Sequence, residues 1–129
     1  MDYIRWISNR LAKKGKNARL EFGKIYVFEV KKKAPPLLIV TRAFSKSIHG
    51  INLVKIPRRL RPEIVKEYER AMSETTELRR NGLLFNLERR LQAFRATKDS
   101  ISRYKSSEIQ SRVAEVTLDE VKDLARRAV

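Results

Sequence analysis

The chain has 129 residues, 30 Lys and Arg against 15 Asp and Glu, a formal net charge of +15 and 42% hydrophobic residues. That apolar content suffices for one core but not two independent ones, so a single domain over 1–129 is expected, and a disordered basic tail or a collagen-like repeat is excluded. There is no cysteine and a single histidine, His49. Disulfides, thiolate metal sites and histidine clusters therefore drop out, and no apolar run approaches the roughly 18 residues of a membrane-spanning helix.

In chain order, Ile4, Ile7 and Leu11 recur on one helical face, and Gly15 stands where a C-terminal cap would lie. A short amphipathic helix is expected over 2–14, with Trp6 as a core anchor. From Gly23 the period changes, and Ile25 to Val30 reads as a strand apolar on both faces. Lys31, Lys32 and Lys33 lead to Pro35-Pro36, which mark a turn because proline cannot donate to a strand ladder. Leu37 to Thr41 is a second strand. A turn is expected around Ser45 to Gly50, and a third strand from Ile51 to Ile56, ending at Pro57. Short connections favour antiparallel pairing, since parallel crossovers need a dozen or more residues.

Pro62 opens a helix expected over 61–73, carried by Ile64, Val65, Tyr68 and Met72. Leu83, Leu84, Leu87, Leu91 and Phe94 form the stripe of a third helix beyond Gly82. Residues 97–109 read as one more helical turn or a loop. Val113 and Val116 indicate a short edge strand over 111–116. Thr117 and Glu120 have capping-box spacing at the head of a final helix over 118–128, with acids at its start and Arg126 and Arg127 at its end. The expected fold is α+β: a short antiparallel sheet or SH3-like small barrel of about four strands, braced by about four helices.

The charge excess is spread over the first 110 residues, and 111–129 is neutral. An excess of this size attracts polyanions through phosphate contacts and counterion release. Lys13, Lys14, Lys16 and Arg19 follow the first helix, Lys31, Lys32 and Lys33 end a strand, and Arg58, Arg59 and Arg61 lie between Pro57 and Pro62. Lys13, Lys14, Lys16, Lys31, Lys32, Lys33, Arg58, Arg59 and Arg61 are the candidate nucleic-acid contacts, to DNA or RNA, with an acidic protein surface as the alternative partner. Tyr26, Phe28, Phe44 and Tyr68 are stacking candidates by type, but their spacing favours burial. No ribonucleoprotein signature or helix-turn-helix pattern supports sequence-specific readout.

No enzyme or cofactor is expected. His49 with Ser45 and Ser47 nearby lacks an orienting third group and reads as a turn residue. Glu29-Val30-Lys31 has the acid-x-Lys spacing of some metal-dependent nucleases, but only Glu21 is close enough in sequence to serve as a second acid. The four glycines form no phosphate-binding loop.

Three stretches combine into a recognisable pattern: Gly23 to Val30, Pro36 to Val40, and His49-Gly50-Ile51-Asn52-Leu53 with Arg58 to Arg61 after it. With Tyr104, Ile109 to Val113 and Val116 to Glu120, this resembles a family of small proteins of T4-like tailed phages. Lys31 to Pro35 is shorter and more basic than that family's usual connection. The resemblance implies a nonenzymatic DNA- or virion-associated role, in the host-cell cytoplasm or the particle, with an acidic phage or host protein as the alternative partner. The opening residues Asp2, Arg5 and Arg10 form no secretory apolar run, so an intracellular setting is expected.

Overall fold

The computed structural model describes residues 3–14 and 19–127. Helix α1 (Tyr3–Lys14) is followed by strands β1 (Ile25–Val30), β2 (Leu37–Ala43) and β3 (Ser47–Asn52), then helices α2 (Arg61–Met72) and α3 (Glu77–Ala93). Strands β4 (Ile101–Lys105) and β5 (Ile109–Val116) and helix α4 (Leu118–Arg127) complete the chain. The five strands form one antiparallel sheet in the order β4-β3-β2-β1-β5, so the fold is α+β with an open sheet of five strands.

The sheet is open by pairing but strongly curled. In a flat sheet three strand spacings, roughly 14 Å, would separate β1 from β4. Instead the Phe28 ring of β1 meets the Tyr104 ring of β4 edge to face at 5.3 Å. A three-residue 3-10 turn, Ser106–Glu108, joins the two edge strands. It is tied to both sides of the curl, with Ser106 N donating to Lys46 O at 2.9 Å and Lys31 N donating to Glu108 O at 3.0 Å.

Burial on both faces explains why the strands read as continuous apolar runs. Inside the curl lie Tyr26, Phe28, Val30, Leu38, Val40, Ile48, Tyr104 and Val113. On the convex face Ile25, Val27, Leu37, Ile39 and Ile51 pack beneath all four helices, against Ile7 and Leu11, Ile64 and Tyr68, Leu84 and Leu87, and Val121 and Leu124. The two clusters share one sheet. Trp6 is half-buried against the convex cluster with Arg10 over its ring at 5.7 Å, and Arg10 reaches Glu120 Oε1 at 2.8 Å to join α1 to α4. The capping box forms as expected: Thr117 Oγ1 accepts from Glu120 N, and Glu120 Oε1 accepts from Thr117 N.

Three elements differ from the sequence expectation. The third strand is Ser47–Asn52, not 51–56, and Leu53–Lys55 turns as a 3-10 helix. Asn52 causes the switch, because its Oδ1 accepts from Val54 N at 3.1 Å and from Leu37 N at 3.3 Å. Residues 101–105 form a strand where a helical turn or loop was expected, since Ser102 in the buried position masks the alternation with Tyr104. Helix α3 starts at Glu77, capped by Thr76 Oγ1 accepting from Arg79 N, and Gly82 lies exposed inside it.

Candidate nucleic-acid interface

The expected basic groups do not assemble into one face by any hydrogen bond or ion pair among the described residues. Lys13 and Lys14 end α1, their side chains lying outside the described set, and Lys16 lies outside the described residues altogether. Lys31, Lys32 and Lys33 are exposed beyond β1, with Lys32 in the left-handed region at φ 59°. Lys33 pairs with Glu108 at 3.2 Å and lies 5.8 Å from the Tyr104 ring centre. Arg58 and Arg59 are exposed on a 3-10 turn and make no ion pair among the described residues.

Arg61 has a different task from the one its sequence context implies. It is only 7% exposed, its Nε donates to Ile56 O at 2.9 Å and its Nη2 donates to Val54 O at 3.0 Å. It satisfies carbonyls left over by the 3-10 turn after β3 and locks that turn to the start of α2. A guanidinium held this way is withdrawn from phosphate contact, and Arg61 is removed from the candidate contacts.

A second basic cluster, absent from the sequence expectation, forms across β2, β3 and β4 beside α3. His49 lies directly opposite Arg42 of β2 on one side and Arg103 of β4 on the other. Directly opposed residues have Cβ atoms about 4.5–5.5 Å apart, so this is a row roughly 10 Å long in which two arginines flank an ionisable histidine. Neither Arg42 nor Arg103 makes an ion pair among the described residues, whereas Glu21, Glu29, Glu67, Glu69, Glu74, Glu108, Glu115 and Glu120 all do. A proton on His49 would place like charges opposite one another across the strands, which disfavours the protonated ring.

Aromatic rings flank the row. Phe44, 54% exposed, meets the His49 ring at 5.3 Å with 72° between planes. Phe85 of α3, 42% exposed, lies under two guanidiniums, Arg42 at 5.0 Å and Arg89 at 5.9 Å. Tyr26, Phe28 and Tyr68 are buried as expected, so Phe44 alone of the four stacking candidates is exposed. His49 is a strand residue, not the turn residue its neighbours implied. Burial lowers its pKa below 6.5, the fields of Arg103 and then Arg42 lower it further, and the Glu88 carboxylate opposes them. Glu88 is itself buried and accepts from the Thr41 hydroxyl.

A backbone irregularity builds the row. Between the Val40–Gly50 and Arg42–His49 pairs, β2 advances two residues while β3 advances one. This bulge turns Arg42 away from the side taken by Leu38 and Val40 and toward His49 and α3. Gly50 permits it, since a Cβ there would lie 2.2 Å from Ile39 O and 2.7 Å from Leu38 Cγ. No sequence signal marked the bulge.

The catalytic alternatives gain no geometry. Glu29 pairs with Arg112 at 3.5 Å and Glu21 with Lys24 at 2.7 Å, and among the described residues no three His, Asp or Glu side chains gather as a metal site would require. Among these residues no helix is long and apolar enough to cross a membrane. No family model, curated protein or solved structure matches the chain, so the phage-family resemblance gains no independent support.

Proposed function

We propose that the protein binds the nucleic-acid backbone, DNA or RNA, with little sequence preference and without catalysing a reaction. The observation that carries this reading is the Arg42–His49–Arg103 row, two arginines set on either side of an ionisable histidine with no acid paired to either arginine among the described residues. A phosphate chain that meets the two arginines releases its counterions, which is the source of sequence-independent affinity. Lys31, Lys32, Arg58 and Arg59 are exposed and unpaired among the described residues, and add to the attractive field at longer range. The test is binding of short DNA and RNA probes by the Arg42→Ala/Arg103→Ala double variant. At least a tenfold loss, of the order expected for two charge-assisted contacts, is the predicted outcome, and unchanged affinity contradicts the assignment.

A second reading is a structural or accessory component of a larger assembly, such as a virion, docked on an acidic protein surface. It is favoured by the large apolar side chains that α3 leaves exposed, Leu78, Leu83 and Phe85, with the adjoining Phe94. Stoichiometric recovery of the protein with purified particles supports it, and its absence from them argues against it.

A further inference from the structure

We infer that the ligand of the Arg42–His49–Arg103 row is single-stranded nucleic acid, with an unpaired base stacked on Phe44. The inference rests on the nucleic-acid reading above and narrows it to one form of the polymer. Phe44 opens the turn between β2 and β3, and Phe44 N donates to Ser47 O at 2.9 Å, which fixes the residue beside the row. More than half of the residue is open to solvent. An exposed ring alone is unremarkable, but this one touches His49, which stands between the two arginines of the row.

The two phenylalanines are used differently. Phe85 has Arg42 and Arg89 over it, so its ring aligns guanidiniums toward the ligand. Among the described residues no guanidinium lies over Phe44, and its ring is available to a base. Cations that track the backbone, next to a ring that receives a base, are the two parts from which proteins hold unpaired strands. A duplex presents the same phosphates, but its base faces are stacked inside and offer nothing to Phe44.

The test compares the full-length protein and its Phe44→Ala and Phe44→Tyr variants on three labelled probes: a short single strand, the same strand with every base removed, and the matching duplex. Fluorescence anisotropy at fixed salt reads the affinities. The intact strand is expected to bind the wild type at least fivefold more tightly than the abasic strand, on the order of a single stacking contact. Phe44→Ala should abolish that difference, Phe44→Tyr should keep it, and duplex binding should be the same for all three proteins. Equal wild-type binding to intact and abasic strands, with no effect of Phe44→Ala, overturns the single-strand inference and leaves phosphate binding standing. Failure of every probe to bind overturns both.

Discussion

Arg42 stands directly across the sheet from His49 because β2 carries one residue more than β3 between Val40 and Arg42. Without that residue, strict alternation would place the arginine with Leu38 and Val40 inside the curl. The bulge therefore makes a surface cation out of a position that the strand period would bury.

Gly50 is the counterpart of the bulge and predicts its fragility. A methyl group there meets the Ile39 carbonyl, a backbone atom that no rotamer change can move. Gly50→Ala should destabilise the protein by about 1–3 kcal/mol, the usual range for overpacking, and weaken probe binding by displacing His49. Chemical denaturation checks the first effect; a stability equal to wild type would show that the strands yield at little cost.

The two kinds of arginine near Pro57 should separate experimentally. Arg61→Met removes donors from two carbonyls in a buried setting and should lower stability by about 1–3 kcal/mol. Arg58→Ala and Arg59→Ala should leave stability within about 0.5 kcal/mol while reducing the salt dependence of binding. Thermal melts paired with binding isotherms distinguish the classes.

Protonation of His49 should couple folding and binding to pH in opposite senses. Its folded pKa lies below 6.5 through burial and the fields of Arg103 and Arg42, against the opposing Glu88, so the unfolded chain binds the proton more readily. Its contribution to stability is therefore present above pH 6.5 and is lost as pH falls through that value and below. A bound polyanion favours the protonated ring, so affinity should rise over the same interval. Probe binding measured from pH 7.5 to 5 should tighten for the wild type and much less for His49→Gln.

The clamp between α1 and α4 has the acid-side signature. Burial acts to raise the Glu120 pKa, but the Thr117 N–H and hydroxyl and the Arg10 guanidinium outweigh it, and the carboxyl ends below 4.5. That contribution is present above pH 4.5 and is lost as pH falls through the lowered value. Glu120→Gln should lower stability at pH 7 by about 1 kcal/mol, the scale of a lost cap, and flatten the acid limb of the stability profile.

Much of the fold was legible because its signals are local. The stripes of α1 and α2, the Leu84, Leu87 and Leu91 stripe of α3, the Thr117–Glu120 cap of α4 and the apolar runs of β1 and β2 follow from periodicity and turn chemistry alone. The position of β3 was not legible, because Asn52 ends that strand through contacts with both Leu37 and Val54. The site was less legible than the fold. Sequence clustering of basic residues singled out Arg61, which is buried, while Arg42, His49 and Arg103 are brought together only by strand register.

The central claim is tested most directly by the salt dependence of binding to a short single strand, for the wild type and the Arg42→Ala/Arg103→Ala variant. The wild type should show log affinity falling linearly with log salt, and the variant should lose up to about 0.7 of slope for each phosphate contact removed. Negligible binding near physiological salt, or slopes that are the same for the two proteins, would contradict a phosphate-binding role for the row.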